Sequence, residues 1–141
     1  MNPANIRFSS RRETVEYLVL HKSRLKSLPE REFHWSILQQ SRFVESILIR
    51  FPDNVFYIDT TTNPETVVDG FQRLQTLRAF LDDELILTSL EFMPQLNGWK
   101  FSTLPRNQAR SLEEVRVVVH YIDLPTTLEE RDYIVSRIRC P

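Results

Sequence analysis

The chain has 141 residues, of which 41% are hydrophobic and 26% charged, which is enough for one hydrophobic core of ordinary composition. Its formal net charge of -1 excludes a global positive field for nucleic acid, although residues 1–50 carry nine Lys and Arg against five Asp and Glu, a net of +4. The single cysteine, Cys140, excludes an internal disulfide framework and favours a reducing, cytoplasmic location. No apolar run approaches the ~20 residues of a membrane-spanning helix, so we expect no membrane association.

The first third of the chain predicts two helices and a short strand. A capping-box pattern at Ser10 precedes apolar residues at helical spacing, which predicts a helix over about 10–21. Polar and apolar residues then alternate over 24–28, as they do in a short strand. Ser36 is a favourable N-cap for a second helix, and Pro52 marks its end.

The rest of the chain alternates between β-branched runs and helical patterns. Its predicted elements are strands over 55–58 and 66–68, a helix from Gly70, a hairpin over 84–104 turning at Asn97-Gly98, a strand over 115–122 and a helix over about 128–138. The polar segment around Arg106 and Arg110 is typical of a solvated loop. Because this order lacks regular βαβ alternation, we expect a single α+β domain over 1–141, with a small mixed sheet and flanking helices.

The most informative stretch is the signature turn, residues 68–77, which joins a short buried strand to a helix through Asp69-Gly70. A helix N-terminus with a glycine and a guanidinium beside it suits a phosphate group. We expect Gly70 to let the ligand approach the backbone and Arg73 to bind phosphate oxygens. Asp69 would position a water or a cation, and Gln72 would orient the water. A structural interpretation stays open, in which Asp69 caps the helix and Arg73 pairs with a nearby carboxylate.

A second candidate segment covers residues 29–36, between the predicted strand and the helix capped by Ser36. Arg31 could supply a second phosphate ligand, and Trp35 could stack on a base. The alternative is that Phe33 and Trp35 form a hydrophobic staple against the following helix.

Other chemistries lack their motifs in this sequence. There is neither a GxxxxGK[ST] loop nor a GxGxxG loop, and no nucleophile elbow precedes a catalytic triad. His21, His34, His120 and Cys140 do not have metal-ligand spacing, so no metal site is expected from the protein alone.

Three segments resemble one protein family. They are Arg31-Glu32-Phe33-His34-Trp35-Ser36, Phe43 to Pro52 (FVESILIRFP) and Val68 to Leu77 (VDGFQRLQTL). In order and spacing they are similar to the Q-R-x-[FY]-x-W, L-I-E-S-I-L-x-x-[YF]-P and I-D-G-Q-Q-R-L-T-T-L segments of the N-terminal domain of GmrSD-type, modification-dependent restriction endonucleases. That family belongs to the ParB/sulfiredoxin-like superfamily, and the likeness extends over about residues 25–138.

The resemblance implies a nucleotide-binding domain of a DNA restriction or anti-phage defence system, one that could hydrolyse a nucleoside triphosphate with Mg²⁺. Carried over by position, Asp69 and Gln72 would be catalytic, and Arg31, Gly70 and Arg73 would bind phosphate. Phe71 stands where the family has glutamine, and no nuclease segment follows, so we expect no self-contained nuclease. A non-enzymatic DNA-binding or protein-interaction module is the alternative.

The resemblance also leads to expectations about partners. A separate protein would supply the nuclease, and the chain would form a homodimer through apolar surface near its last helix or the 84–104 region. From the charge distribution, and not from the resemblance, we expect DNA binding to be weak and to use the basic N-terminal residues Arg7, Arg11, Arg12, Lys22, Arg24 and Lys26.

Overall fold

The computed structural model describes residues 6–27, 32–52, 54–123 and 127–139. Its strands are β1 (Phe8–Thr14), β2 (Lys26–Ser27), β3 (Val55–Asp59), β4 (Thr66–Asp69) and β5 (Arg116–Ile122). Its α-helices are α1 (Val15–Lys22), α2 (Ile37–Leu48), α3 (Phe71–Leu81), α4 (Arg106–Glu114) and α5 (Leu128–Arg139). The predicted α+β class with a small mixed sheet and flanking helices is confirmed.

The five strands form one sheet in the order β1-β5-β3-β4-β2. The pairs β1–β5 and β3–β4 are antiparallel, whereas β3–β5 and β2–β4 are parallel. Because Val55 pairs with Val118 and Tyr57 pairs with Asp69, β3 and β5 begin at the end of the sheet where β4 finishes. We call this the Gly70 end of the sheet.

The sheet separates two apolar clusters. On one face, α1, α2, α3 and α4 pack on one another over the main core, which includes the buried side chains of Phe56, Ile58 and Leu77. On the other face, α5 places Ile134 against Val68 and Ile122 in a smaller cluster. Alternate residues of a strand point to opposite faces, which is why Phe56 lies in the main core and Tyr57 lies beside α5.

The N-terminal helix predicted over about 10–21 was wrong in its first part. Residues from Ser10 to Thr14 belong to β1, and the helix runs only from Val15 to Lys22 with Thr14 as its N-cap. The segment pairs along its length with β5, from Phe8 opposite Ile122 to Thr14 opposite Arg116. This long-range ladder outweighs the local capping-box pattern at Ser10.

The hairpin predicted over 84–104 is absent from the structure, where this described segment forms two short 3₁₀ turns and irregular chain. Its backbone groups are satisfied in another way, because the buried carboxylate of Glu45 accepts hydrogen bonds from the N–H groups of Glu91, Phe92 and Met93. The Asn97-Gly98 turn does form, with Gly98 at φ 86°, but it does not join two strands.

Several local predictions are confirmed. Ser36 caps α2 in a complete capping box with Gln39. The helix predicted over about 128–138 forms as α5, and the hydroxyl of Thr127 before it accepts a hydrogen bond from the N–H of Glu130. One local prediction was wrong, because the segment around Arg106 and Arg110 is a helix and not the expected loop. None of the helices in the described ranges is both long enough and apolar enough to cross a bilayer.

Large apolar side chains are exposed in both regions where a dimer contact was expected. Leu128 of α5 is 74% exposed and Phe92 is 72% exposed. We predict a dimer in light scattering at micromolar concentration. Leu128→Ser should dissociate the dimer if the contact is at α5, and Phe92→Ser should dissociate it if the contact is at the 84–104 segment. A monomer mass that does not change on concentration would contradict this prediction.

Candidate functional site

The signature turn is built on a glycine that cannot be replaced without strain. Gly70 lies in the left-handed region at φ 100° and is the N-cap of α3. A Cβ atom at this position would lie 2.5 Å from Cδ1 of Phe56, which is itself buried. The backbone therefore bends sharply over the Phe56 ring, and the first N–H groups of α3 emerge at the Gly70 end of the sheet without intrahelical acceptors.

Arg73 is the third residue of α3 and is held from two sides. Its Nη2 donates to Oδ2 of Asp69 at 3.2 Å, and its guanidinium carbon lies 4.9 Å from the centre of the Phe56 ring. Burial lowers the pKa of Arg73, and the charge of Asp69 partly opposes that shift. The side chain is a mostly buried cation whose sole ion-pair partner among the described residues is Asp69.

Gln72 connects the signature turn to the segment before α2. Its Oε1 accepts hydrogen bonds from the N–H groups of His34 (2.9 Å) and Trp35 (3.3 Å), and its Nε2 donates to the carbonyl of Glu32 (2.6 Å). The amide therefore holds the 32–35 segment across the start of α3. This contact was not predicted from the sequence, which assigned Gln72 to a water.

Trp35 and Arg31 complete the set of predicted site residues. The Trp35 ring is half-buried and meets Phe43 edge to face, with 5.8 Å between the ring centres, as the hydrophobic-staple alternative suggests. Arg31 lies outside the described residues. The structure thus brings Asp69, Gly70 and Arg73 together and ties the backbone of Trp35 to them through Gln72.

This arrangement has the chemistry of an anion site. The expectation that Gly70 opens the backbone to a ligand is wrong, because Gly70 is buried and faces the Phe56 ring. What remains is the helix dipole of α3, which favours negative charge at its first turn, and the fixed guanidinium of Arg73 in that turn. Oδ2 of Asp69 accepts the hydrogen bond from Arg73, and Oδ1 of Asp69 has no hydrogen-bond partner among the described residues.

The sequence interpretation missed a second cationic region, the arginine groove, which consists of two adjoining cavities. The larger has a volume of about 650 Å³ and is lined by Arg50, Arg106 and Arg110 among others, and the smaller, of about 230 Å³, by Arg12, Arg50 and Arg116 among others. The i, i+4 spacing of Arg106 and Arg110 could have indicated one face of a helix, had the segment not been interpreted as a loop.

The structure does not bring the basic N-terminal residues together as one surface. Arg11 and Arg12 alternate along β1, so Arg11 lines a polar cleft with Lys22, whereas Arg12 lines the arginine groove. Lys22 pairs with Glu65 at 2.6 Å. Lys26 lies in β2, at the opposite edge of the sheet from β1.

No protein-family model matches the chain, and no curated protein and no solved structure shows significant similarity to it. The resemblance to the GmrSD-type family therefore depends on the three sequence segments alone. Within the described residues, no group of three or more His, Cys, Asp and Glu is arranged to hold a metal ion.

Proposed function

We propose that this domain binds a nucleoside triphosphate at the signature turn, with the phosphates at the N-terminus of α3. The observation that carries the proposal is the position of Arg73, a mostly buried cation fixed beside Asp69 in the first turn of α3. An anionic ligand at that place would compensate the desolvation that lowers the pKa of the guanidinium.

Mg²⁺ would reach the site with the triphosphate. Mg²⁺ is commonly held by one or two carboxylates together with phosphate oxygens and water, and Oδ1 of Asp69 could supply such a ligand. Arg31 remains the proposed second phosphate ligand, and Trp35 the proposed stacking residue, on the strength of the resemblance.

The geometry supports binding more strongly than hydrolysis. A residue that orients the attacking water needs a free polar group, but the amide of Gln72 makes three hydrogen bonds to the 32–35 backbone. In our proposal Gln72 is therefore a positioning residue for binding, and its catalytic role with Asp69 stays a prediction. The setting in a DNA restriction or defence system, with a separate nuclease partner, is proposed from the resemblance.

The alternative of a non-enzymatic interaction module is favoured by a different observation. The engagement of Gln72 and the replacement of the family's glutamine by Phe71 both remove free polar groups from the turn. A domain of this kind would keep the fold and bind a partner without turnover.

Arg73→Ala should weaken nucleotide binding by about tenfold or more, because charge-assisted hydrogen bonds contribute roughly 1.5–3 kcal/mol each. Arg73→Lys should restore the affinity only in part, since the planar fork is lost. Isothermal titration calorimetry with nucleoside triphosphates, with and without magnesium, measures both effects.

The matched control for this experiment is Arg78→Ala on the same helix. Arg78 pairs with Asp82 and Glu84 and lies towards the other end of α3, so its loss should leave nucleotide affinity unchanged. Equal affinity of the wild type and a folded Arg73→Ala variant would overturn the proposal.

A further inference from the structure

The arginine groove gathers five arginine side chains, of which Arg110 interacts electrostatically with the neighbouring Glu113. Arg12, Arg50, Arg106, Arg110 and Arg116 form no ion pair with any carboxylate of the described residues. Glu114 is the only acidic residue among the described ones that line the two cavities. A region of strong positive charge therefore lies on a chain whose net charge is -1.

We propose that the arginine groove binds the sugar–phosphate backbone of single-stranded nucleic acid. Every cation among the described residues that line it is an arginine, and the guanidinium fork matches the oxygens of a phosphate. Arg106 and Arg110 are one turn apart on α4, so their side chains are neighbours that can contact successive phosphates of one strand. Arg50 lines both cavities, which places them side by side.

An aromatic side chain favours nucleic acid over an acidic peptide as the ligand. Phe51 lines the smaller cavity and is 54% exposed, which leaves ring surface on which an unpaired base can stack. Asn107, which also lines the groove, offers its amide group to base edges. An acidic peptide would use the charges but leave the aromatic surface without a partner.

The backbone conformation of Arg50 also supports this proposal. Arg50 has φ 59° and occupies the left-handed position that ends α2, where its N–H donates to the carbonyl of Ile47 and that of Phe51 donates to the carbonyl of Ser46. Glycine is the usual residue at this position, because it adopts the left-handed conformation without strain. An arginine here costs stability, and its guanidinium contributes a charge to both cavities.

This inference is independent of nucleotide binding at the signature turn. The groove is formed by β1, the end of α2, α4 and the start of β5, and it contains neither Gly70 nor Arg73. Either site can be correct without the other.

The test is a fluorescence anisotropy titration with a labelled oligothymidine of about 12 nucleotides, within the range of single-strand site sizes. At about 50 mM salt, the double variant Arg106→Glu and Arg110→Glu should bind at least tenfold more weakly than the wild type. Between about 50 and 200 mM salt, log affinity should fall less steeply with log salt for the double variant than for the wild type. The slopes should differ by about 1.4, since each of the two lost phosphate contacts contributes about 0.7 for a single strand. The control is Arg42→Glu with Arg137→Glu, which changes the net charge equally outside the groove and should leave binding within about twofold.

Two single variants keep the test decisive if the double reversal does not fold. Arg50→Gly, which suits the left-handed backbone, should weaken binding several-fold, and Phe51→Ala should weaken it about tenfold without changing the salt slope. Unchanged binding in folded Arg50→Gly and Phe51→Ala would overturn the assignment. Equal losses in the control variant, or displacement of the oligonucleotide by polyglutamate or tripolyphosphate at equal charge concentration, would overturn it as well.

Discussion

Replacing Gly70 with alanine is expected to lower the free energy of unfolding by about 3 kcal/mol or more. The left-handed backbone at φ 100° costs an L-residue about 1–2 kcal/mol. The new methyl group would also lie 2.5 Å from the buried ring of Phe56, and such overpacking typically costs a further 1–3 kcal/mol. Urea denaturation followed by circular dichroism measures the loss.

The second glycine of the chain separates these two contributions. Gly98 has φ 86°, but a Cβ atom there would meet nothing within 4 Å. Gly98→Ala should therefore cost only the backbone strain, about 1–2 kcal/mol. If Gly70→Ala and Gly98→Ala lose the same stability, then the Phe56 ring beneath the signature turn does not exclude a side chain at residue 70.

Removing the charge of Arg131 is expected to cost about 3 kcal/mol or more. Asp59 is fully buried, and its Oδ2 accepts a hydrogen bond from Nε of Arg131 at 2.5 Å, while its Oδ1 accepts from the N–H and hydroxyl of Thr61. Arg131→Leu leaves a buried carboxylate without its cation, and breaking a buried pair in this way typically costs 3–5 kcal/mol. The same denaturation experiment measures the effect.

The exposed pair of Arg42 and Glu91 provides the comparison. Its side chains are mostly in solvent, and the two charged atoms are 3.3 Å apart. Arg42→Leu should therefore change stability by less than about 1 kcal/mol. A similar loss in both variants would show that the Asp59–Arg131 pair does not hold α5 to the sheet.

The sequence predicted those elements whose signals are local. The Ser36 capping box starts α2 where expected, and the Asp69-Gly70 turn joins β4 to α3 as expected. Each of these signals is contained in a few consecutive residues. The first strand could not be predicted in this way, since its hydrogen bonds are to β5, about a hundred residues later. The 84–104 segment failed for a related reason, because the buried carboxylate of Glu45 replaces the expected strand ladder.

In the candidate site, too, local features were predicted from the sequence and long-range contacts were not. Gly70 and Arg73 are recognised from one short motif, and their contacts with Phe56 and Asp69 follow from adjacent or directly paired elements. The hydrogen bonds of Gln72 to the 32–35 segment span almost 40 residues and had no sequence signal. The arginine groove was missed because its residues come from four separated elements.

The most direct test of nucleotide binding at the signature turn is its location by nuclear magnetic resonance. A ¹⁵N-labelled sample titrated with magnesium and a nucleoside triphosphate should show its largest amide shifts at Gly70, Gln72 and Arg73, and these shifts should vanish in the Arg73→Ala variant. Shifts confined to the arginine groove, or none at millimolar nucleotide, would contradict the account.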